Sequence, residues 1–347
     1  MNIWNCTLYR LIFFAVLTAG LSSCSTARMT IEVLVPPQNT FESKVQEVAV
    51  INRVDTAEAH SALYINDEFR EHLDGLNFGM QEAALYGLGT ALNDYGYYNV
   101  GEGKGGNYKR DGRFKGPKLS RTELKRLCAL YSVEGIIALE GYEAGIYASG
   151  DVTRSTAVDR SYGTVYVPSF NGRQEVHMRF YFRFYDNLSG KIIYEEEIED
   201  IMSTTASGST PDEVEKRMPD RAGLMERLAV KLGSEAAKHI SPHWKKDTRK
   251  YYAYGNSLLV RAGNLAQSGY WERASNIWYD LVEGEGVSNS VAKKACFNMI
   301  LVSEVAGDLD LAIVWAERCE EEFGLKRATA YKELIKNRKE ELKGFID

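Results

Sequence analysis

The sequence predicts an α+β protein in which an antiparallel or mixed sheet backed by helices is followed by an all-helical domain. Over residues 175–185, apolar side chains occupy every second position, as in a strand with one buried face. Over residues 224–240, apolar side chains recur every four positions, as in a helix. Near the C terminus, the sequence around Ala274 returns around Ala312, which indicates a helical repeat.

Length, composition and charge limit the possible functions. The chain has 347 residues, of which 44% are hydrophobic and 26% are charged. This length fits about two folded domains. The composition is too mixed for a disordered chain or for a polytopic membrane protein. The net charge of −6 argues against a nucleic-acid partner, because such partners attract basic surfaces.

Residues 1–23 have the pattern of a secretory signal peptide. Arg10 precedes an apolar run that is well short of the roughly 20 residues that a membrane-spanning helix needs. Leu21, Ser22 and Ser23 then lead to Cys24. This order resembles a bacterial lipobox, which implies that Cys24 is acylated and that residues 24–29 form a lipidated tether. The alternative is cleavage at small residues, with Cys24 as a bystander.

The lipobox resemblance also implies a membrane partner and a compartment. A diacylglyceryl group on Cys24 would anchor the protein stably, because two acyl chains bind a membrane firmly whereas a single chain binds only marginally. Residues 25–29 include no Asp of the kind that retains lipoproteins at the inner membrane, and no acidic cluster linked to surface export. The resemblance therefore implies an outer-membrane anchor, with the periplasmic face favoured over the cell surface.

Residues 30–240 are predicted to form an α/β, sandwich-like domain. Ser120 and Glu123 have the spacing of a capping box, which predicts that a helix begins there. Alternation and apolar runs predict strands over residues 31–35, 48–51 and 135–139, and helical spacing predicts a helix over residues 80–95.

A hairpin and a strand pair are predicted in the second half of this domain. Asn171–Gly172 is a dipeptide that two-residue turns prefer, so we expect a turn there. If Arg183 lies opposite Glu195, and Arg179 opposite Glu199, basic and acidic rows meet across two strands. The pattern loosely resembles the periplasmic α/β domain of bacterial lipoproteins of the curli-secretion and penicillin-binding-protein-activator type. That resemblance implies a fold and carries no catalytic residue.

Residues 241–347 are predicted to form a tetratricopeptide-like helical domain. Ala274 and Trp278 resemble the small and aromatic positions of tetratricopeptide repeats, and Ala312 repeats the small one. The resemblance implies a protein partner on the open concave side of the helices. Helical hairpins with a purely structural role are the alternative. The residues expected on the concave side are Asn256, Gln267, Lys294 and Glu304.

Three cysteines remain for the folded part of the chain once Cys6 and Cys24 are set aside. Cys128, Cys296 and Cys319 each lie in an apolar helical pattern, which predicts buried thiols that pack as small hydrophobes. The alternative is a Cys296–Cys319 disulfide, which an oxidising compartment would permit.

A glycine-rich basic loop follows residue 100. Lys104 is not followed by Ser or Thr and no helix begins after it, so the phosphate-loop motifs fail. The loop is predicted to be flexible, and as a further hypothesis its charge suits an anionic surface such as a glycan or a headgroup. The residues of this hypothetical anion site are Lys104, Lys109, Arg110, Arg113 and Lys115.

Neither a metal site nor a cofactor site is predicted. His239 and His243 have the spacing of helical zinc ligands, but Pro242 interrupts the helix between them. The sequence shows no serine elbow and no cysteine with an evident histidine partner. These observations argue against an enzyme.

The features together predict a lipid-anchored envelope protein that is a non-catalytic protein-binding or assembly scaffold. Across most of the chain, the lipobox, the α/β part and the helical segment resemble an uncharacterised family of bacterial outer-membrane-type lipoproteins with tetratricopeptide-like C termini. The alternative is a glycan-binding or glycan-processing envelope lipoprotein that uses the aromatic-rich strands and the basic loop.

Overall fold

The computed structural model describes residues 26–39, 44–54, 63–64, 74–103, 114–343 and 345. They form two compact units, Pro36–His243 and a second unit that combines the strand before Pro36 with the chain from Trp244 onward. The strands are β1 (Thr26–Val35), β2 (Glu47–Asn52), β3 (Leu63–Tyr64), β4 (Asn99–Glu102), β5 (Gly135–Asp159), β6 (Gly163–Asp186), β7 (Lys191–Gly208) and β8 (His243–Tyr252). The helices are α1 (Asp74–Tyr95), α2 (Arg121–Tyr131), α3 (Pro211–Arg217), α4 (Arg221–Ile240), α5 (Ser257–Gln267), α6 (Trp271–Glu283), α7 (Asn289–Val305), α8 (Leu309–Phe323) and α9 (Lys326–Glu341).

The α/β unit contains a six-stranded mixed sheet. Its strand order is β4–β2–β5–β6–β7, with β3 beside β5. β2 runs parallel to β4 and β5, and β3 runs parallel to β5. β5, β6 and β7 are antiparallel neighbours. The predicted α+β class, with a mixed sheet backed by helices and then a helical region, is confirmed.

Helices cover both faces of this sheet. α1 and α4 pack against the alternating apolar side chains of β6, Val176 to Phe184. α2 begins at the predicted capping box, which is confirmed, and packs on the opposite face. Tyr181 and Tyr185 on that face are only 4% and 1% exposed. The prediction that this strand has a wet face is therefore wrong at its C-terminal end.

Two glycines allow α1 and α4 to approach closely. A Cβ atom on Gly87 would overlap the backbone of Val230, and one on Gly233 would overlap the carbonyl oxygen of Ala84. Only glycine leaves room for a backbone at this distance. The crossing of the two helices therefore depends on both positions.

The register predicted for the last two strands is confirmed. Arg183 lies opposite Glu195, and Arg179 lies opposite Glu199. The Nε atom of Arg183 is 3.1 Å from the Oε2 atom of Glu195. Arg179 instead forms its ion pairs with Glu143 and Glu197.

The turn predicted at Asn171–Gly172 is wrong, because both residues lie inside β6 and pair with β5 and β7. A Cβ atom on Gly172 would lie 2.6 Å from Val214 of α3, so this glycine provides space rather than a turn. The chain turns at residues 160–162 instead. Gly163 follows with a φ of +75°, a left-handed conformation that glycine adopts at little cost.

The second unit joins β1 and β8 to helices α5–α9. β1 and β8 form a two-stranded sheet, and Met29, Ile31 and Val33 are buried in the helical core. The sequence placed residues 30–35 in the α/β domain. The alternation did predict a strand, but alternation does not reveal which unit a strand joins.

The helical pairs have the predicted order of helix, glycine and helix. Gly269 separates α5 from α6 with a φ of +81°, and Gly307 separates α7 from α8 with a φ of +79°. Ala274 and Ala312 are both fully buried. The likeness to tetratricopeptide repeats stays a prediction.

Candidate binding surfaces

The sheet face that carries α2 also holds a buried charge cluster. Glu140 lies where the β5–β6 register shifts, and its fully buried carboxylate forms ion pairs with Arg53 and Arg183. The hydroxyl of Tyr185 donates a hydrogen bond to Oε1 of Glu140 at 2.8 Å. Burial raises the pKa of Tyr185, so this hydroxyl stays protonated as a donor. A buried carboxylate needs such partners, because its desolvation costs several kcal/mol.

The same arginines hold a loop segment across the cluster. Arg183 donates to the carbonyl oxygen of Gly116 at 2.7 Å, and Arg53 donates to that of Pro117 at 3.1 Å. The amide of Gly116 donates to the carbonyl oxygen of Glu140 at 2.9 Å. The cluster thus fastens residues 114–118 to the sheet, which is a structural role.

Lys115 is the residue of the predicted anion site that the structure describes. Its Nζ atom lies 3.5 Å from Oε2 of Glu197 and 4.5 Å from the centroid of the Tyr181 ring. A carboxylate therefore already faces this cation. Lys104, Lys109, Arg110 and Arg113 lie outside the described residues, so anion binding by this loop stays a prediction.

A cavity of about 500 Å³ lies farther along the same sheet face. The rings of Tyr147 and His177 are 4.7 Å apart there, centroid to centroid. Arg179, Glu143 and Glu199 complete its polar lining. Aromatic faces beside charged groups suit a polar ligand.

The ends of β5 and β6 form a two-stranded ribbon, residues 151–170. β7 pairs with β6 only as far as Phe170, so beyond it the two strands pair only with each other among the described residues. Val158 is 85% exposed, and Tyr162 in the turn is 83% exposed. Tyr166 is 74% exposed and pairs with Thr156, so it shares a face with Val158.

Three of the four predicted partner-binding residues are at least partly exposed in the helical unit, and each makes a hydrogen bond within that unit. Asn256 caps α5 and accepts a hydrogen bond from the amide of Leu258 at 2.7 Å. Gln267 donates to the hydroxyl of Tyr251, and Lys294 donates to the carbonyl oxygen of Tyr254, both at 3.1 Å. Partner binding through these residues stays a prediction.

The prediction that Glu304 faces an open concave surface is wrong. The Glu304 side chain in α7 is fully buried and accepts a hydrogen bond from Nη2 of Arg249 in β8 at 2.8 Å. Arg338 and Tyr331 of α9 also donate to it. Glu304 therefore connects three elements of the helical unit. The sequence gives no signal for this cluster, because its members are far apart along the chain.

The cysteines and histidines form no joint site in the described chain. Cys128, Cys296 and Cys319 are free and buried, as predicted, so the alternative disulfide is not formed. Burial raises the pKa of Cys128 to about 11. Nδ1 of His239 lies 2.7 Å from Oε2 of Glu196, whereas Nδ1 of His243 lies 3.2 Å from the carbonyl oxygen of Ser241.

The part of the chain that the structure describes has neither a cluster of metal ligands nor a membrane-spanning helix. No cluster of three or more potential metal ligands occurs there. None of its helices combines the length and the apolar character needed to cross a bilayer. Cys24, the predicted lipidation site, lies outside these residues.

The solved structures that match part of this chain have low similarity to it. A PelC dodecamer from Paraburkholderia phytofirmans is 11% identical, with a TM-score of 0.25, over 61% of this chain and 98% of that chain. A neuraminyllactose-binding hemagglutinin homolog from Helicobacter pylori is 10% identical, with a TM-score of 0.27, over 59% and 87%. The protein CT253 from Chlamydia trachomatis is 14% identical, with a TM-score of 0.22, over 56% and 97%. Similarity this low supports no inference about function.

Two family models match the chain, and no curated protein does. A domain of unknown function, DUF6340, matches residues 260–344 in the helical unit. A second domain of unknown function, DUF8603, matches residues 45–252. Because this second match covers more than half of the sequence, the chain belongs to the DUF8603 family.

Proposed function

We propose that the protein is a lipid-anchored envelope protein that acts by non-catalytic protein binding or assembly. The ribbon formed by residues 151–170 carries this proposal. Two-stranded ribbons are marginally stable in water without further packing. This ribbon nevertheless exposes Val158, Tyr162 and Tyr166 by 74–85%. Contiguous exposed apolar side chains mark protein-binding surfaces, because burying them against a partner is favourable.

The buried charges support a binding role rather than catalysis. Glu140 and Glu304 are the two buried glutamates of the described chain, and two arginines hold each of them. The side chains of both glutamates are 0% exposed, so a substrate could not reach either carboxylate. Each carboxylate fixes the positions of neighbouring elements, as a scaffold requires.

The experiment tests the ribbon in the full-length protein. The variant Val158→Thr, Tyr162→Ser, Tyr166→Thr keeps residue types that tolerate strands and turns while removing apolar surface. The control is Tyr86→Ala, Leu130→Ala, which removes side chains that are 69% and 63% exposed elsewhere on the same unit. Both proteins are cross-linked in envelope preparations after circular dichroism has verified folding.

The wild type and the control should cross-link to a defined protein, either another chain or a second copy. The ribbon variant should lose at least about nine tenths of that product, since a few side chains carry most of the binding energy of an interface. An equal yield from the ribbon variant would contradict the proposal.

The anchor is tested separately with Cys24→Ser. The pattern at residues 21–24 supports acylation, and two acyl chains give stable membrane binding. The wild type should therefore sediment with membranes, and Cys24→Ser should stay in the supernatant. Mass spectrometry should find a diacylglyceryl group on Cys24. An unmodified thiol at residue 24 in protein from its native host would rule out the anchor while leaving the ribbon result intact.

A further inference from the structure

A second binding feature lies within the helical unit, in a cleft of about 370 Å³ lined by two tryptophans. Sites for small ligands have volumes of about 300–1,000 Å³, so this one fits a ligand of one or two rings. We define the tryptophan cleft by its lining residues, which are Thr30, Ile31, Glu32, Trp244, Trp271 and Val305.

Local structure explains how these side chains come together. β1 alternates, so Ile31 is buried in the core while Thr30 and Glu32 point outward. Trp271 is the first residue of α6, directly after the turn at Gly269. Trp244 is near the start of β8, the strand that pairs with β1. Two rigid strands and a helix terminus thus position the cleft.

The exposure of Trp244 is unusual for its residue type. Its side chain is 48% exposed, whereas Trp278 and Trp315 of the same unit are 0% and 8% exposed. Tryptophan is usually well buried, because its large apolar ring gains from leaving water. An exposed indole beside a second one therefore marks a surface that a ligand can cover.

The chemistry of the lining favours a saccharide. An indole ring offers a broad apolar face that fits the C–H face of a pyranose, and its edge is polar. Thr30 and Glu32 add a hydroxyl and a carboxylate that can hydrogen-bond sugar hydroxyls. Glu32 is exposed and has no ion-pair partner among the described residues, so its acceptors are available. Its negative charge also disfavours anionic sugars.

We infer that the tryptophan cleft binds an uncharged pyranose unit of a glycan, stacked on Trp244 and Trp271 and hydrogen-bonded by Glu32. This site is separate from the ribbon and from the basic loop. It also has the opposite charge preference from the basic loop, to which the sequence assigned a possible glycan partner.

The experiment titrates the full-length protein, with its lipid anchor kept in detergent, with three probes. Chitotriose and cellotriose are uncharged, and a galacturonate trimer is anionic. Isothermal titration calorimetry measures binding, and tryptophan emission reports contact with the cleft. We expect an uncharged trimer to bind with a Kd at or below the millimolar range, and the anionic trimer to bind at least tenfold more weakly.

Substitutions test the assigned roles. Trp244→Ala and Trp271→Ala should each weaken binding at least tenfold, and Trp244→Phe should retain most of it by keeping an aromatic face. Glu32→Gln should reduce the difference in affinity between the uncharged and the anionic trimers. Tyr254→Ala is the matched control, because Tyr254 is 50% exposed in the same unit and lies outside the cleft.

Three results would overturn the inference. They are no binding of either uncharged trimer at about 10 mM, equal affinity after both tryptophans have been replaced, or equal weakening by Tyr254→Ala. The ribbon variant should bind the trimer like the wild type, so failure of this inference and failure of the assembly proposal are distinguishable.

Discussion

Glu304 is held by arginines from two different elements, Arg249 in β8 and Arg338 in α9. Glu304→Gln removes the charge that balances both guanidinium groups while almost keeping the side-chain volume. We expect the free energy of unfolding to fall by about 3–5 kcal/mol, because breaking a buried pair leaves uncompensated charge. Urea unfolding followed by tryptophan emission measures the change.

A surface ion pair of the same unit provides the control. Glu322 pairs with Arg318 one helical turn away, and its side chain is 49% exposed. Glu322→Gln should therefore change the free energy of unfolding by less than about 0.5 kcal/mol. Equal effects of the two substitutions would contradict the assigned role of Glu304.

We expect the stability of the sheet to depend on pH through Glu195. A hydrogen bond from Tyr181, followed by one from Arg183, lowers the pKa of Glu195 below its usual 4.5. Because the folded-state pKa is lowered, the stabilisation is present above about pH 4.5 and disappears as the pH falls through the lowered pKa. The wild type should exceed Glu195→Gln in stability by about 0.2–1 kcal/mol at pH 7.

This difference should vanish in acid, as measured by urea unfolding at a series of pH values. Glu199→Gln is the matched control, since Glu199 lies on the same face of β7 while the arginine opposite it pairs with Glu143 and Glu197. A Glu195 effect that is constant with pH would refute this explanation.

Single residues differ in how far the sequence reveals their roles. The capping box at Ser120 and the Arg183–Glu195 pair were predictable, because their signals are local spacing and strand alternation. The burial of Glu304 and its contacts with two other elements were not predictable. A helical pattern shows which face of the helix a residue occupies, but it does not show what covers that face. Trp244 gave no signal either, because its cleft forms only when β1 joins β8.

At the scale of elements, the contact between α1 and α4 depends on glycine. Gly233→Ala would place a methyl group against the carbonyl oxygen of Ala84 and force the helices apart. We expect a loss of stability of about 1–3 kcal/mol, as for other overpacked cores. Urea unfolding followed by circular dichroism measures this loss.

Gly89→Ala is the internal control for this prediction. Gly89 also lies in α1, but a Cβ atom there would have no neighbour within 4 Å. Alanine is the better helix former by about 1 kcal/mol, so this variant should be more stable than the wild type. A loss of stability at Gly89 similar to that at Gly233 would show that close approach is not the cause.

Elements were predictable where one period continued without interruption. The helix ending at Ile240 and the alternation of β6 both follow from repeated spacing. The turn at Asn171–Gly172 failed because a dipeptide is a weak local signal and pairing on both sides of β6 outweighs it. Close contact with α3 gave that glycine a different role.

On the scale of the whole molecule, a substitution in β1 tests whether this strand belongs to the helical unit. Ile31→Ala should destabilise the helical unit by about 2–5 kcal/mol, because it removes a buried side chain from that core. Four of the five tryptophans lie in this unit, from Trp244 onward, and Trp4 lies in the predicted signal peptide. Tryptophan emission of the chain without residues 1–23 therefore reports on this unit. The urea midpoint seen by tryptophan should fall, while hydrogen exchange in α4 should stay unchanged.

Arg28→Ala is the control, because Arg28 is an exposed residue of the same strand. It should leave the tryptophan transition within about 0.5 kcal/mol of the wild type. Faster hydrogen exchange in α4 after Ile31→Ala would show that β1 supports the α/β unit instead.

The path of the chain through the two units also has a consequence for biosynthesis. β1 is translated before the α/β unit, but its partner β8 and the helices that bury Met29, Ile31 and Val33 are translated only after that unit. Domains fold as units during synthesis, with N-terminal ones first, and here the first strand cannot follow that order. The apolar face of β1 therefore stays unpaired until β8 and the helices have been made. In a nascent chain arrested after α4, we expect β1 to be cleaved by proteases or bound by a chaperone.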